Sequence, residues 1–370
     1  MRIMNEYGEK HEKLKKLIGA KNLEGILIVT QQNFSWVTGG KAYVNMATQL
    51  SICKLLVTKD KLYLIGNNVD VPLILAEEIK DPYLKSQIET KIFNWQDSGE
   101  ESEFLHSILK GKVAVDTGIN HTLSVEDDLY LLRTVLSFEE MERYRILGQE
   151  TASALEQVVF AIKKGDSERE IAGKVISKLY SLDIFPVVLL VAADERALKY
   201  RHALPTDQRL AKHAVLSVCG RRNGLIVSAT RAIHFGKPSE ELLKKHHAVV
   251  KIDDQLIRNT RPGSRLGEIL QKGLEIYKNE GYGSEWQLHF QGGITGYNTR
   301  ERKATVHSEE IIQENQAFAW NPSISGTKSE DTFLVLSDQN ECITETGQFP
   351  YIEKNINNIT IKRPAILVRK

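Results

Sequence analysis

Two histidines and a glutamate are the residues best suited to moving protons. His202 lies between Arg201 and Pro205, on a stretch that reads as a loop leading into a strand. An imidazole titrating near ~6.5 suits acid–base work at neutral pH; the plainer alternative is a surface histidine. His289 precedes Gln291-Gly292-Gly293. Paired glycines in a strand imply close approach of backbone or ligand; here the alternative is a structural bulge. Glu330 is a candidate general base, or the group that holds His202 or His289 in one tautomer. Its structural alternative is a buried ion pair with Arg231 or Lys328. Arg231 suits a bidentate grip on a substrate carboxylate. Ser228 and Thr230 offer hydroxyls, but neither stands in a Gly-x-Ser-x-Gly turn. Tyr297, Arg300 and Glu301 continue the glycine-rich strand and are expected to line a cleft. Trp286 and Trp320 are expected in the core.

Other chemistries are absent from the sequence. His246 and His247 are adjacent, so on a helix they diverge and cannot chelate as an i, i+4 pair would. No P-loop or dinucleotide fingerprint occurs. Cys53, Cys219 and Cys342 are too far apart for a zinc spacing and too few for a disulfide framework. They read as reduced thiols of a cytoplasmic protein. Lys plus Arg number 49 and Asp plus Glu 48, a net +1 that gives no footprint for nucleic acid or an anionic membrane. No run approaches the roughly 20 apolar residues of a membrane helix, and the N-terminus lacks an apolar signal region.

The elements that must position these residues can be outlined. The chain has 370 residues with 41% hydrophobic composition, which suits two globular domains. The first, 1–136, alternates strands and helices. A polar helix carries Leu14, Leu17 and Ile18; strands are expected at Gly25–Thr30, Ile52–Thr58, Leu62–Gly66 and Lys112–Asp116. NFSWVTGG reads as a loop, and Pro72–Ile79 as a helix. The second domain, 137–370, opens at a capping box, Ser137 with Glu140. A long helix runs to Lys164-Gly165, and Ser167 with Glu170 caps another to about Tyr180. Helix, glycine and helix recur around Arg261-Pro262-Gly263. Gly165 falls on Gly263, Glu170 on Glu268 and Lys174 on Lys272 at one shift of 98 residues. This pattern predicts a duplicated α+β domain with helices outside, sheet inside and a cleft between the halves.

With these segments in order, the chain resembles the creatinase, prolidase and aminopeptidase P superfamily across nearly its whole length. The segments are RHALPTDQRL, VLSVCGRRNGLIVSATR, HFQGGITGY and AFAWNPSISGTKSEDT, after an N-terminal half containing NFSWVTGG. The resemblance implies an α/β creatinase-type N-terminal domain and an α+β pita-bread C-terminal domain with pseudo-twofold duplication. Peptidase members hold two metal ions on two aspartates, a histidine and two glutamates, which together activate a water. Carried over, these positions fall on Val218, Ser228, Gly293, Asn321 and Glu330; only Glu330 keeps a ligand side chain.

The expectation is therefore no metal and no cofactor. The resemblance aligns His202 with the catalytic histidine of metal-free creatinase, whose guanidinium-gripping carboxylates fall here on Thr230 and Asn321. The leading expectation is metal-independent hydrolysis of a C–N bond in a small amino-acid-like or peptide-like substrate. His202, His289 and Glu330 would be catalytic; Arg231, Asn321, Ser228, Thr230 and Tyr297 would bind substrate. Two alternatives are a metal-dependent Xaa-Pro peptidase and a catalytically inactive homologue that binds or regulates as a dimer. The expected partners are a small molecule or short peptide and a second copy of the chain.

Overall fold

The computed structural model describes residues 5–109, 111–118, 123–356 and 359–370. Two compact units divide it, Met1–Thr134 and Val135–Lys370. Among the described residues no helix is long and apolar enough to cross a membrane.

In the first unit α1 (Glu6–Ala20) starts at Asn5, whose side chain accepts the Gly8 amide, and buries Leu14 and Ile18. Then follow β1 (Gly25–Thr30), α2 (Gln31–Thr38), β2 (Leu50–Thr58), β3 (Leu62–Asn67), α3 (Asp70–Leu73), α4 (Pro82–Gln87), β4 (Ile88–Phe93), α5 (Ser98–Leu109), β5 (Val113–Val115) and α6 (Glu126–Arg133). The sheet order is β4-β3-β2-β1-β5. It is mixed: β1 and β3 run antiparallel to β2, whereas β5 pairs in parallel with β1 and β4 in parallel with β3. Every residue of β1 is buried, as expected for a central strand covered on both faces.

The expected loop NFSWVTGG is instead largely helix, α2, ending at Gly39 in the left-handed region (φ 69°). Phe34, Ser35, Trp36, Val37 and Thr38 are all buried. A helix buried all round has no polar face, so it lacks the period that would announce it. The expected helix at Pro72–Ile79 is mostly a π turn, Ile74–Glu78, following α3.

The second unit begins with α7 (Phe138–Ala161), where Ser137 and Glu140 satisfy each other's backbone amides. Such a cap stabilises a helix by about 1 kcal/mol. A second capping box, Ser167 with Glu170, opens α8 (Glu168–Tyr180). Then come β6 (Phe185–Ala193), α9 (Glu195–Lys199), β7 (His213–Arg222), β8 (Leu225–Phe235), α10 (Glu240–Asn259) and α11 (Leu266–Asn279). Gly165 and Gly263, the glycines between the paired helices, have φ of 87° and 86°. The remaining strands are β9 (Gly292–Thr295), β10 (Arg302–Lys303), β11 (Ala317–Trp320), β12 (Ser323–Ile324), β13 (Thr327–Lys328), β14 (Asp331–Leu334), β15 (Glu341–Cys342), β16 (Tyr351–Ile356), β17 (Ile359–Pro364) and β18 (Ile366–Arg369).

Two sheets form the heart of this unit, ordered β18-β8-β7-β6 and β10-β9-β11-β14-β15. All of β8 is buried. The sheets meet where the Thr230 amide donates to the Glu330 carbonyl (2.9 Å). Beside it, the Thr332 hydroxyl accepts from the Ser228 amide (2.7 Å) and donates to the Ser228 carbonyl (3.0 Å). This seam brings β7, β8 and the chain entering β14 together.

Candidate functional site

Strand alternation decides which residues of β7 and β8 reach the seam. Ser217 pairs with Thr230 and Cys219 with Ser228, whereas Val218 pairs with Ala229. Ser217 Oγ lies 2.6 Å from Thr230 Oγ1, and Cys219 Sγ lies 3.3 Å from Ser228 Oγ. These four side chains share one face. Val218, expected at a former ligand position, faces the opposite way, and Ser217 takes its place beside Thr230. In a strand, one position along the chain exchanges faces.

The same alternation removes Arg231 from the site. It lies opposite Thr230 on β8 and is fully buried. Its Nε donates to Glu156 (2.7 Å), Nη1 to Asp331 (2.9 Å) and Nη2 to the Thr344 carbonyl (2.8 Å). Asp331 in turn meets Arg363 (3.1 Å), which meets Asp253 (2.7 Å). Arg231 is part of this buried ionic chain and not a substrate clamp. Tyr297 is also diverted from the expected ligand contact: it is buried and its hydroxyl donates to Glu140.

Glu330 is at the centre. Its Oε1 accepts from Arg300 Nη2 (3.0 Å), and its Oε2 from Lys328 Nζ (2.6 Å) and the Thr230 hydroxyl (2.7 Å). Burial alone would raise this carboxyl, but Lys328 and Arg300 outweigh it and hold it at about 2. A carboxylate this weakly basic, with both oxygens occupied, is a poor general base. The expected base is therefore a counter-ion. Of the two ion-pair partners expected for it, Lys328 is present and Arg231 is not; Arg300, expected only as a cleft residue, is the second cation. Arg300 also donates to Ser228 Oγ (3.2 Å), and Lys328 to Ser217 Oγ (3.3 Å).

His202 and His289 come together, 87 residues apart in sequence, with Nε2 3.0 Å from Nε2. Each, and not Glu330, is the other's hydrogen-bond partner. Burial lowers the pKa of both, with Lys328 adding to the effect; His289 is pushed down to about 3. Two neutral imidazoles can make this bond only with one N–H donating and one lone pair accepting. His289 Nδ1 is buried without a partner. A buried N–H without a partner is costlier than an unfilled lone pair, so we assign the Nε2 proton to His289.

The paired glycines do mark close backbone approach. Gly292 and Gly293 have φ of 120° and 149°; a Cβ on Gly293 would stand 2.0 Å from the Arg302 carbonyl oxygen. No side chain fits at the position where the resemblance places a metal-binding histidine. Asn321 is buried, its backbone N–H donates to the Gln291 carbonyl (2.9 Å), and its side-chain Oδ1 has no partner. Among the described residues, no three His, Cys, Asp or Glu side chains gather as a metal site. Where a dinuclear centre needs several carboxylates, this seam holds one, already neutralised by an ammonium and a guanidinium.

A small cavity partly open to solvent, with about 30 Å3 of enclosed space, adjoins this cluster. Lys328, Ser217, His289, Arg201 and Ser323 supply its polar wall, and Ala192, Ala197, Ala203 and Val215 part of its apolar wall. Arg201 pairs with Glu285 and donates to Ser325 Oγ (3.1 Å).

Residues 142–337 match the model of metallopeptidase family M24. The chain is 22% identical over 352 residues to the Xaa-Pro dipeptidase of Pyrococcus furiosus, spanning 91% of this chain and 98% of that one. Its fold is similar to that of the prolidase of Pyrococcus horikoshii, with TM-score 0.76, 18% identity, and 91% and 98% of the two chains covered. The N-terminal domain of FACT complex subunit SPT16 from chickpea shares the fold at TM-score 0.70 and 12% identity, over 93% and 95% of the chains.

Proposed function

The chain belongs to metallopeptidase family M24, and on that footing we propose that it is a metal-independent member whose cavity takes a small amino-acid-like or short-peptide molecule. The observation that carries this is the Lys328–Glu330–Arg300 cluster. A family metal pair would be held by Glu330 and neighbouring carboxylates. Here Glu330 is held by two cations, its neighbours are Ser217, Ser228 and Thr230, and Gly293 has no room for a side chain. Moving a divalent ion beside two buried cations opposes the Coulomb repulsion of both. The residues present do not fit a dinuclear metal centre.

The reaction we assign is hydrolysis of a C–N bond, with the proton moved by His202–His289. His202 is exposed and can meet water or a leaving nitrogen. His289, with its Nε2–H on His202, keeps a neutral lone pair on Nδ1. Asn321 and the hydroxyls of Ser217, Ser228 and Thr230 orient polar groups of the bound molecule. A second reading, a catalytically silent binder, is favoured by the saturation of Glu330, which leaves no carboxylate base. The occurrence of the fold in a subunit of a complex supports that reading too. The chain is proposed to be a homodimer in the cytoplasm, which sizing in solution and fractionation would check.

The test joins metal analysis to turnover. Protein purified, incubated with Mn2+ or Co2+ and desalted is expected to retain far less than one ion per chain. Cleavage of dipeptides or N-acyl amino acids is expected to persist in chelator and to fall at least 100-fold in His202→Ala. Two stoichiometric ions with metal-stimulated Xaa-Pro cleavage would overturn metal independence. Ligand-induced stabilisation without turnover would select the silent binder.

A further inference from the structure

The wall of the cavity carries more information than its presence. Lys328 and Arg300 both lean on Glu330, so two positive charges share one negative charge at sites only 9% and 4% exposed. Both imidazoles are neutral, and Arg201 has Glu285. A buried excess positive charge is costly unless an anion arrives. Lys328 is the cluster member that also lines the cavity.

Two further wall atoms lack partners. His289 is 8% exposed and its Nδ1 is unpaired; Ser323 is 1% exposed and its Oγ is unpaired. Buried polar atoms are rarely left so. With the tautomer assigned above, His289 Nδ1 is an acceptor and calls for an N–H. Beside Leu190, Ile324 and Thr327 in the same wall, Ala192, Ala197 and Ala203 pack as one cluster with Val215 against it. Three methyl groups make a floor for a small aliphatic substituent.

We infer that the cavity recognises an N-acylated amino acid with a small side chain, its carboxylate against Lys328 Nζ, its amide N–H against His289 Nδ1 and its side chain on Ala192, Ala197 and Ala203. This rests on the metal-independent binding reading above and sharpens its substrate class. An amine in place of the carboxylate would meet Lys328 with like charge, and a large side chain would overfill the alanine floor.

Calorimetry on the full chain tests it with N-acetyl-L-alanine, N-acetyl-L-alaninamide, N-acetyl-L-tryptophan, N-acetylglycine and the dipeptides glycyl-alanine and alanyl-proline. N-acetyl-L-alanine is expected to bind at least 10-fold more tightly than its amide and than the tryptophan analogue. Lys328→Met should abolish the preference for acid over amide, and Lys328→Arg should restore it. Ala192→Leu, which leaves the ion cluster alone, should weaken N-acetyl-L-alanine more than N-acetylglycine. Circular dichroism confirms that each variant is folded. Equal binding of acid and amide, or binding of dipeptides alone, would overturn this inference and leave the broader reading standing. Binding of none of the six would remove the broader reading itself.

Discussion

Lys328 Nζ stands 2.6 Å from Glu330 Oε2, with Arg300 Nη2 3.0 Å from the other carboxylate oxygen. The carboxylate that the resemblance places at a family metal-ligand position is thus enclosed by cations. Replacing Glu330 by Gln leaves two buried cations without their counter-ion and is expected to destabilise the fold by about 3–5 kcal/mol. Lys328→Met leaves Arg300 in place on Glu330 and should cost less, about 1–3 kcal/mol. Urea unfolding of both variants checks the order; equal or reversed values would refute it.

Arg231 belongs to stability and not to ligand binding. Arg231→Met leaves Glu156 without its cation and Asp331 with Arg363 alone, and a loss of about 3–5 kcal/mol is expected. Any folded fraction should bind ligand as the parent does. Tyr297→Phe removes one hydrogen bond to Glu140 and should cost about 1 kcal/mol. A large loss of ligand affinity in folded Tyr297→Phe would return Tyr297 to the site.

Gly293 is fixed by space. A Cβ there would lie 2.0 Å from the Arg302 carbonyl oxygen, with φ at 149°. Gly293→Ala is expected to cost more than about 3 kcal/mol. Gly293→His should fail to restore a metal site, because β9 would have to part from β10 first. Denaturation and metal analysis of the two variants decide this.

Acid should weaken the fold through His246. This imidazole faces the Thr327 hydroxyl (2.6 Å) and the Pro364 carbonyl (3.0 Å). Burial pushes it down to about 4, and His247, His213 and Arg363 act the same way. In the unfolded chain it takes up a proton near ~6.5. Between these values the unfolded state holds more protons, so stability falls as pH falls from about 6.5 to about 4. At about 1.4 kcal/mol per unit the loss is on the order of 3 kcal/mol. Asp253 works oppositely: burial pushes it up to about 7 despite Arg363, so its folded-state proton adds stability on acidification. The comparison is therefore between the parent and His246→Gln, unfolded in urea at pH 7, 5.5 and 4.5. A variant as acid-sensitive as its parent would refute the assignment.

Local signals determined much of this protein. The capping boxes at Ser137 and Ser167 depend on residues three apart, so they are legible from the order of residues alone. The same holds for Gly165 and Gly263, whose positive φ suits glycine, and for the paired glycines of β9. Helix α2 is not legible in that way, because its residues are buried on nearly every side and show no period. Which side chains share the cavity is decided only by tertiary structure. Ser217 rather than Val218 reaches the seam because of the register of β7 on β8. Arg231 points away from it for the same reason. His202 meets His289, and Arg300 meets Glu330, across long separations in sequence. Residue types name the chemistry available; strand register and sheet packing select which groups touch, because one position along a strand reverses the direction a side chain faces.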